Sequence, residues 1–401
     1  MWRGSMVFVA LLAANLAGAQ NASRWVGQQV VTKYGTSLRV GDRVVYVDNV
    51  FRVYKVRQEQ GEWLWLVADG IAGWVQTGEV IPFDQAVDYY TREIQANPSS
   101  ASNYVFRGMN WMTKDEPDKA MADFNQAIRL ASNDAVAYNS RGNAWWTRKE
   151  FDKAISDYTE AIRLEPNYAG VYYSRGIAWQ DKQDFDKAIN DYNEAIRLEP
   201  NFAGVFYCRG VAWQAKNQVD KALADYSEAI RLDSTLAVAF NNRGNLWSLR
   251  KDYARAVNDY NEAVRLDPSS PLALNNRGIA RGHLKEYDKA IADFSEAIRV
   301  DPAFALAWSN RAGLWATCPD ARFRDGKQAV ESATRACELT AWNDAHPIAI
   351  LAAACAEAGE FEAAVKWQEK ANKLFDDPED RKISEERLRL YRDKKPFRNV
   401  D

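Results

Sequence analysis

Apolar and polar positions change their spacing once along this chain. Between residues 25 and 82, valines and aromatic residues alternate with polar ones or form short runs, between turn signals such as Gly61 and Gly70. This pattern predicts several short β-strands joined by tight turns, and hence a small β-barrel. From residue 83 onward the apolar positions recur at helical spacing, so we expect a mainly α-helical remainder.

The helical part repeats itself every 34 residues. An Arg-Gly pair and the pattern A-x-x-D-[FY]-x-[EQ]-A-[IV]-R-[LV] both keep this interval. The second pattern begins at Ala120, Ala154, Ala188, Ala222, Ala256 and Ala290. Within each repeat the spacing predicts two helices joined by a turn. A fixed period of this length predicts stacked helical hairpins, which favours a binding scaffold over an enzyme.

The repeated residues closely resemble tetratricopeptide repeats. That family places large, Gly, aromatic, Ala, aromatic, Ala and Pro residues at fixed positions, which in the second repeat are Tyr138, Gly142, Trp145, Ala154, Tyr158, Ala161 and Pro166. The resemblance covers roughly residues 84–378 and implies a right-handed α-solenoid of about eight repeats over 101–378. A half repeat at 83–100 and a charged helix with a tail at 379–401 are expected to cap its ends.

The β-rich segment, for which we expect a domain at residues 20–82, resembles bacterial SH3-like domains between Trp25 and Pro82. The resemblance lies in the sequences W-L-W-L-V, G-W-V and V-I-P, which follow one another along the chain. A barrel this small has a thin core. Trp63, Trp65 and Trp74 therefore belong either to that core or to a ligand-binding groove.

The first 19 residues have the features of a secretory signal peptide. Arg3 precedes an apolar stretch, and Ala17-Gly18-Ala19 fits a cleavage site. We therefore expect an exported protein, periplasmic or located in the cell envelope or outside the cell. The end of the chain and its irregular seventh repeat also resemble exported bacterial repeat proteins, notably those of planctomycetes. No later segment suggests a membrane span.

Charge and composition narrow the function further. The formal net charge of −3 argues against nucleic acid, which attracts basic surfaces. There are only two histidines, His283 and His346, and no Cys/His grouping has zinc spacing. No phosphate-binding glycine loop or nucleophile motif occurs. We therefore expect no cofactor, no metal and no enzymatic activity.

An arginine and an aspartate recur 16 residues apart in successive repeats. We predict structural ion pairs between the two helices of each repeat: Arg107–Asp123, Arg141–Asp157, Arg175–Asp191, Arg209–Asp225, Arg243–Asp259 and Arg277–Asp293. The alternative is a row of arginines that binds anions. In the seventh repeat Ser332 replaces the aspartate, so Arg311 has no such partner and is a candidate for ligand contact.

In tetratricopeptide repeats the first helices line a groove that binds extended peptides. Aligning the repeats places the following residues there: Asn139, Asn143, Trp146, Tyr173, Tyr207, Asn241, Asn242, Asn245, Asn275, Asn276 and Asn310. A carboxamide both donates and accepts hydrogen bonds, so a row of Asn242, Asn276 and Asn310 suits a peptide backbone. Alternatively, these amides bond to the neighbouring helix. The Lys and Arg of the family's carboxylate clamp are absent from these groove positions. Asp181 is the only charged residue that we place in the groove, which favours a mostly neutral peptide segment as the ligand.

Three functions follow from these patterns. The first is a non-enzymatic scaffold that binds an extended peptide. In the second, the SH3-like domain tethers the chain to cell-wall peptide or glycan while the repeats recruit a protein. The third and weakest is an enzyme site near Cys318, which no neighbouring base supports. Cys318 and Cys337 are also the first candidates for a disulfide, the alternative being small buried residues.

Overall fold

The computed structural model describes residues 24–399, apart from residues 34, 42, 47–51 and 69–70. The predicted signal peptide at 1–19 lies outside this part. By their internal contacts the residues fall into two compact units, Met1–Lys182 and Gln183–Asp401. We call them the N-terminal unit and the C-terminal unit.

A seven-stranded antiparallel sheet begins the N-terminal unit, as the alternating pattern predicts. Its strands are β1 (Gln29–Thr32), β2 (Ser37–Val40), β3 (Arg43–Tyr46), β4 (Val53–Gln60), β5 (Trp63–Ala68), β6 (Ile71–Gln76) and β7 (Val80–Pro82). Their order across the sheet is β3-β2-β6-β5-β4-β1-β7. The prediction of β-structure before the helices is confirmed, and the likeness to SH3-like domains stays a prediction.

One face of the sheet forms its core, and the tryptophans lie on the other. On β5, Leu64 and Leu66 are fully buried, so the alternating Trp63 and Trp65 face the opposite way. Trp74 pairs with Trp65 across the strands, with ring centroids 5.3 Å apart and planes at 63°. The three tryptophans, each partly exposed, are therefore not core residues of the sheet.

Eighteen α-helices follow in the described chain. Those of the N-terminal unit are α1 (Ala86–Ala96), α2 (Ala101–Thr113), α3 (Pro117–Leu130), α4 (Ala135–Thr147), α5 (Phe151–Leu164) and α6 (Ala169–Asp181). Those of the C-terminal unit are α7 (Phe185–Leu198), α8 (Ala203–Ala215), α9 (Val219–Leu232), α10 (Ala237–Leu249), α11 (Tyr253–Leu266), α12 (Pro271–His283), α13 (Tyr287–Val300), α14 (Ala305–Thr317), α15 (Gly326–Leu339), α16 (Ala345–Glu357), α17 (Phe361–Asn372) and α18 (Pro378–Arg392). The prediction of a mainly helical repeat fold is confirmed.

Within each unit, the first helix of a repeat pairs with the second helix around small and aromatic residues. On α5, Ala154, Tyr158 and Ala161 are buried at helical spacing and form one face against α4. A Cβ atom added to Gly142 of α4 would lie 2.6 Å from Tyr158 Cε1. Gly142 is therefore required for this close approach of the two helices, as the sequence predicts.

The turn between the two helices of a repeat is the same in six repeats. It contains a residue other than glycine with φ between 57° and 62°, in the left-handed region: Asp115, Lys149, Gln183, Asn217, Lys251 and Lys285. In the turn that contains Lys149, the N–H of Glu150 then donates to the carbonyl of Trp145 at 3.0 Å. This bond satisfies a carbonyl at the end of the first helix and sends the chain back along it.

Helix α1 joins the sheet to the repeats within the N-terminal unit. Val31 of β1 and Ile81 of β7 form one apolar cluster with Ala86 and Tyr90 of α1 and Phe106 of α2. The rings of Tyr90 and Phe106 stack with centroids 5.6 Å apart. The sheet therefore packs directly on the first helices, without a linker between them.

The five extra residues of the seventh repeat are held by the C-terminal tail, which we define as residues 393–399. Glu357 at the end of α16 receives two arginines, Arg324 from the insertion at 3.1 Å and Arg398 from the tail at 2.5 Å. The N–H of Asn399 donates to the carbonyl of Thr317 at 3.0 Å. The tail thus lies against the end of α14.

The cysteines are free thiols in the described chain. Cys318, Cys337 and Cys355 are buried, and Cys208 is half-buried. The candidate disulfide between Cys318 and Cys337 is therefore not formed. In the C-terminal unit Cys337 and Cys355 fill space within an apolar cluster as small apolar residues, which is the alternative that the sequence left open.

Candidate functional site

The repeated arginine and aspartate form bidentate ion pairs. Arg243 Nε and Nη2 donate to the carboxylate of Asp259 at 2.8 and 2.7 Å, while Nη1 donates to Ser227 of the preceding repeat at 3.1 Å. Equivalent pairs are Arg107–Asp123, Arg141–Asp157, Arg209–Asp225 and Arg277–Asp293. Arg175 lies in the N-terminal unit and Asp191 in the C-terminal unit. The arginines of these five pairs are occupied by carboxylates, which supports the structural role over an anion-binding row.

Arg311 is held differently, because Ser332 stands where an aspartate would. Its guanidinium lies between two indole rings, 4.9 Å from that of Trp308 and 4.7 Å from that of Trp315. Nη1 donates to Ser295 on α13 at 3.1 Å, while Nε is buried without a partner. Burial lowers the pKa of Arg311. The side chain therefore packs in the seam between second helices and does not lie among the predicted groove residues.

A second set of ion pairs was missed by the sequence reasoning. Each joins the end of a first helix to the start of the preceding second helix, 30 residues earlier: Arg148–Asp118, Lys182–Asp152, Lys216–Asp186 and Arg250–Asp220. The aspartates are largely exposed, so each pair contributes little to stability. Reading charges at a spacing of 30 as well as 16 would have revealed them.

The predicted asparagine row exists on α10, α12 and α14 of the C-terminal unit. We call Asn242, Asn276 and Asn310 the amide row. Each Nδ2 donates to a residue of the preceding first helix: Asn242 to Tyr207 Oη at 3.3 Å, Asn276 to Asn241 Oδ1 at 3.2 Å, and Asn310 to Asn275 Oδ1 at 2.9 Å. The amide hydrogens therefore bond to the neighbouring helix, which is the alternative that the sequence left open.

The same bonds correct the placement of two predicted groove residues. Asn241 and Asn275 are only 8% and 2% exposed, so they do not lie on the surface. They lie beneath the amide row and accept its hydrogen bonds. Asn245 does the same, because its Oδ1 accepts from Tyr260 at 2.8 Å and from Asn276 at 3.1 Å.

The carbonyl side of the amide row stays available. Asn276 and Asn310 are partly exposed, and no described donor bonds to the Oδ1 atom of either. Since the Nδ2 bonds fix the orientation of both carboxamides, the row offers hydrogen-bond acceptors rather than donors and acceptors alike. Asn242 differs, because its Oδ1 accepts from Asn241 at 3.3 Å.

Three exposed aliphatic residues lie one helical turn before the amide row. Val238, Leu272 and Leu306 are 53%, 46% and 55% exposed. They precede the three asparagines by four residues, so both sets share one face of α10, α12 and α14. We call them the aliphatic row. Sequence reasoning missed it, although the second position of α10, α12 and α14 is aliphatic in each case.

The other predicted groove residues belong mostly to the N-terminal unit. On α4, Trp146 is exposed and its Nε1 donates to Asp181 of α6 at 2.6 Å. Asn143 accepts from Tyr158 Oη at 2.8 Å, and Asn139 has a buried Oδ1 without a partner. Tyr173 lies on α6. In the C-terminal unit, Tyr207 packs on Tyr226 with ring centroids 5.9 Å apart.

A cavity of about 490 Å³ adjoins the amide row at Asn310, and we call it the distal pocket. Its apolar wall includes Ile279, Leu314 and Ile350. Arg387 of α18 is its only permanently charged lining residue among those described, and no carboxylate lines it. A smaller cavity of about 320 Å³ lies beside it and shares Ile279 and His283. Cavities therefore continue along this face.

The described residues contain neither a candidate membrane span nor a candidate metal site. No helix in this part of the chain has the length and apolarity needed to cross a membrane. Among the same residues, no group of histidine, cysteine and acidic side chains has the arrangement of a metal site.

Comparison with known proteins supports the repeat assignment. The sequence model of the tetratricopeptide repeat family matches residues 135–168, 169–202, 237–270 and 271–304. No curated protein sequence matches the chain. Among solved structures, the chain is similar to YrrB, described as "a TPR protein with an unusual peptide-binding site", with 22% identity, a TM-score of 0.40, and coverage of 47% of this chain and 97% of YrrB.

Two further solved structures are similar over part of the chain. PilF of Pseudomonas aeruginosa has 17% identity and a TM-score of 0.48, over 57% of this chain and 98% of its own. MamA has 27% identity and a TM-score of 0.36, over 38% and 89%. Tetratricopeptide repeats are generally protein-interaction modules without catalytic activity. Their presence supports the interpretation of this chain as a protein-interaction scaffold. The four matched segments of this chain are tetratricopeptide repeats.

Proposed function

We propose that the C-terminal unit binds an extended segment of a protein partner on the face that carries the aliphatic row and the amide row. The exposure of Val238, Leu272 and Leu306 carries this proposal. Aliphatic side chains at one position of three successive first helices form an apolar surface that a monomeric protein rarely leaves uncovered.

The two rows suit different parts of such a segment. Apolar side chains of the partner lose water against the aliphatic row, which supplies affinity. Its backbone N–H groups donate to the Oδ1 atoms of Asn276 and Asn310, which are held in place from behind. Backbone recognition tolerates many sequences, and the neutral side chains of both rows favour an uncharged segment.

Charge substitutions in the aliphatic row test the proposal. A library of decapeptides is screened against the full chain, and the dissociation constants of its ligands are measured by fluorescence anisotropy. A Leu272→Asp/Leu306→Asp variant is expected to bind them at least about tenfold more weakly, because it buries charge against apolar side chains. Its melting temperature is expected to stay unchanged, since both residues are half exposed.

Leu130→Asp is the matched control, because Leu130 is an exposed leucine on a second helix of the N-terminal unit. It is expected to leave peptide affinity unchanged. A library without ligands, or ligands that bind the double variant as tightly as the original chain, would refute the proposal.

A second function is favoured by the tryptophan face of the sheet. Trp63, Trp65 and Trp74 lie opposite the core, and the guanidinium of Arg39 lies 5.3 Å from the ring of Trp63. Flat aromatic surfaces stack on sugar rings and peptides, which supports tethering of an exported chain to the cell wall. Sedimentation of the full chain with purified cell wall tests this: Trp65→Ala/Trp74→Ala is expected to remain in solution, and equal sedimentation would exclude the tether.

A further inference from the structure

We propose that the distal pocket binds an apolar group that carries one carboxylate, at the end of a peptide or in a free aliphatic acid. The inference rests on the proposed function, because the pocket opens beside Asn310 at the end of the amide row. The inference specifies that the bound segment ends in a carboxylate, whereas the aliphatic row and the amide row do not select how the segment ends.

The pocket has the size and lining of a small-ligand site. Its volume of about 490 Å³ falls in the usual range for ligand cavities. Ile279 of α12, Leu314 of α14 and Ile350 of α16 supply apolar walls from three successive first helices. Such walls accept a branched aliphatic side chain and gain from its removal from water.

The charge of the pocket comes from Arg387, which no described carboxylate neutralises. Two nearby arginines, Arg324 and Arg398, both pair with Glu357. Arg387 forms no ion pair with any described residue, and its Nε is buried without a hydrogen-bond partner. Arg387 is partly exposed, but its Nε has lost water without gaining a hydrogen bond, and a ligand that accepts from the guanidinium would supply one, so this wall favours an anionic ligand.

Two aromatic residues, Phe397 and Tyr391, interact with Arg387. Its guanidinium lies 4.4 Å from the ring of Phe397 in the C-terminal tail, which holds it against the pocket. Tyr391, one turn further along α18, has a buried hydroxyl without a partner. Burial raises the pKa of Tyr391, and Arg387 partly opposes that rise, so the two groups act on each other. A planar carboxylate fits the fork of a guanidinium by accepting two bonds.

Paired probes test the inference with the full chain. The dissociation constants of N-acetyl-leucine and N-acetyl-leucinamide are measured by titration calorimetry. The acid is expected to bind at least tenfold more tightly than the amide, because only the acid brings a charge to Arg387. The Arg387→Met variant is expected to remove this difference, whereas Arg387→Lys retains part of it.

Arg389→Met is the matched control, because Arg389 lies exposed on the same helix and changes the net charge equally. It is expected to leave the difference intact. Equal binding of acid and amide, or no binding of either at 10 mM, would overturn the inference. So would a difference between acid and amide that survives in a folded Arg387→Met variant.

Two further arms separate the ligand sources and the two proposals. A leucine-ended decapeptide acid is compared with 4-methylpentanoate: tighter binding of the peptide assigns the pocket to a chain end, and tighter binding of the small acid assigns it to a free acid. The Leu272→Asp/Leu306→Asp variant is expected to weaken the peptide but not N-acetyl-leucine. If the double variant binds the peptide as tightly as the original chain, this result would therefore count against binding at the aliphatic and amide rows and not against the distal pocket.

Discussion

The ring of Tyr260 lies over Gly244, so that a Cβ atom at this glycine would lie 2.7 Å from Tyr260 Cε1. The same contact joins a glycine to an aromatic ring in other repeats. In the seventh repeat both partners change together, since Ala312 stands for the glycine and Ala333 for the aromatic residue. A smaller partner on the second helix makes room for the methyl group, so the glycine is required by the ring and not by the backbone.

Substitution of this glycine is the first prediction. Gly244→Ala is expected to destabilise the chain by about 1–3 kcal/mol, because the added methyl forces the ring of Tyr260 away. Gly282→Ala is the control on a neighbouring first helix. Its Cβ atom would meet only Leu314 Cδ1 at 3.8 Å, and alanine favours the helix. Urea unfolding measures both, and equal effects of the two substitutions would contradict the argument.

Removal of the carboxylate from one of the bidentate Arg–Asp ion pairs is the second prediction. Asp259→Ala leaves Arg243 without its partner in a mostly buried site, and is expected to cost about 3 kcal/mol. Glu262→Ala removes an exposed carboxylate that pairs with Arg265 on the same helix, and is expected to cost less than about 1 kcal/mol. Thermal unfolding compares the stability of the two variants, and a small loss for Asp259→Ala would mean that the bidentate ion pair is dispensable.

In the seventh repeat the opposite substitution can be made, because an aspartate can be introduced where the other repeats already have one. Ser332→Asp places a carboxylate beside Arg311, whose pKa burial lowers, and is expected to raise stability by about 1 kcal/mol. Ser295→Asp on α13 offers the same charge to Nη1 from the preceding repeat and serves as a comparison. A lower melting temperature for Ser332→Asp would show that the two indoles leave no room for the pair.

Thiol ionisation gives a prediction on pH. Burial raises the pKa of the Cys337 thiol to about 12 and that of Cys355 to about 11. A thiol of the unfolded chain ionises near pH 8.5. The contribution of each buried thiol to the free energy of unfolding is therefore fully present below that pH. It falls by about 1.4 kcal/mol per pH unit as the pH rises towards 11. Urea unfolding at several pH values measures the slope. Cys355→Ala is expected to reduce the slope, because it removes one of the buried thiols, and an unchanged slope would contradict the argument.

Glu357 is expected to control the C-terminal tail. Glu357→Gln removes the charge that Arg324 and Arg398 share, which should loosen both the insertion and the tail. Hydrogen exchange is expected to speed up at Asn399, whose N–H bonds to Thr317. Glu360→Gln, on a neighbouring exposed carboxylate, is the control. Unchanged exchange at Asn399 would show that Glu357 does not hold the tail.

Much of the fold could be predicted from local sequence because each repeat obeys the same short-range rules. The spacing of Ala154, Tyr158 and Ala161 defines a buried helix face, and the charge of Asp157 at a fixed distance from Arg141 implies their pairing. Alternation also shows that Trp63 and Trp65 share one face of β5. It does not show which face is the core, because that depends on what the other strands bury.

The candidate site was harder to predict, because exposure and hydrogen-bond direction depend on neighbouring repeats. Asn275 and Asn276 are adjacent in sequence and equally polar, yet one is buried and the other partly exposed. Their roles follow from the packing of α10, α12 and α14. The distal pocket depends on Arg387 and Asn399, which lie more than 70 residues after Asn310 and outside any repeating pattern.

The identical left-handed turns suggest how this protein changes length during evolution. Because Lys251 and Lys285 return the chain in the same conformation, the loss or duplication of residues 237–270 would join two helices that already fit each other. The loss or gain of one repeat would thereby shorten or extend the aliphatic row and the amide row by one residue each. The seventh repeat is excluded from such exchange, because its insertion is tied to α16 and to the tail through Glu357.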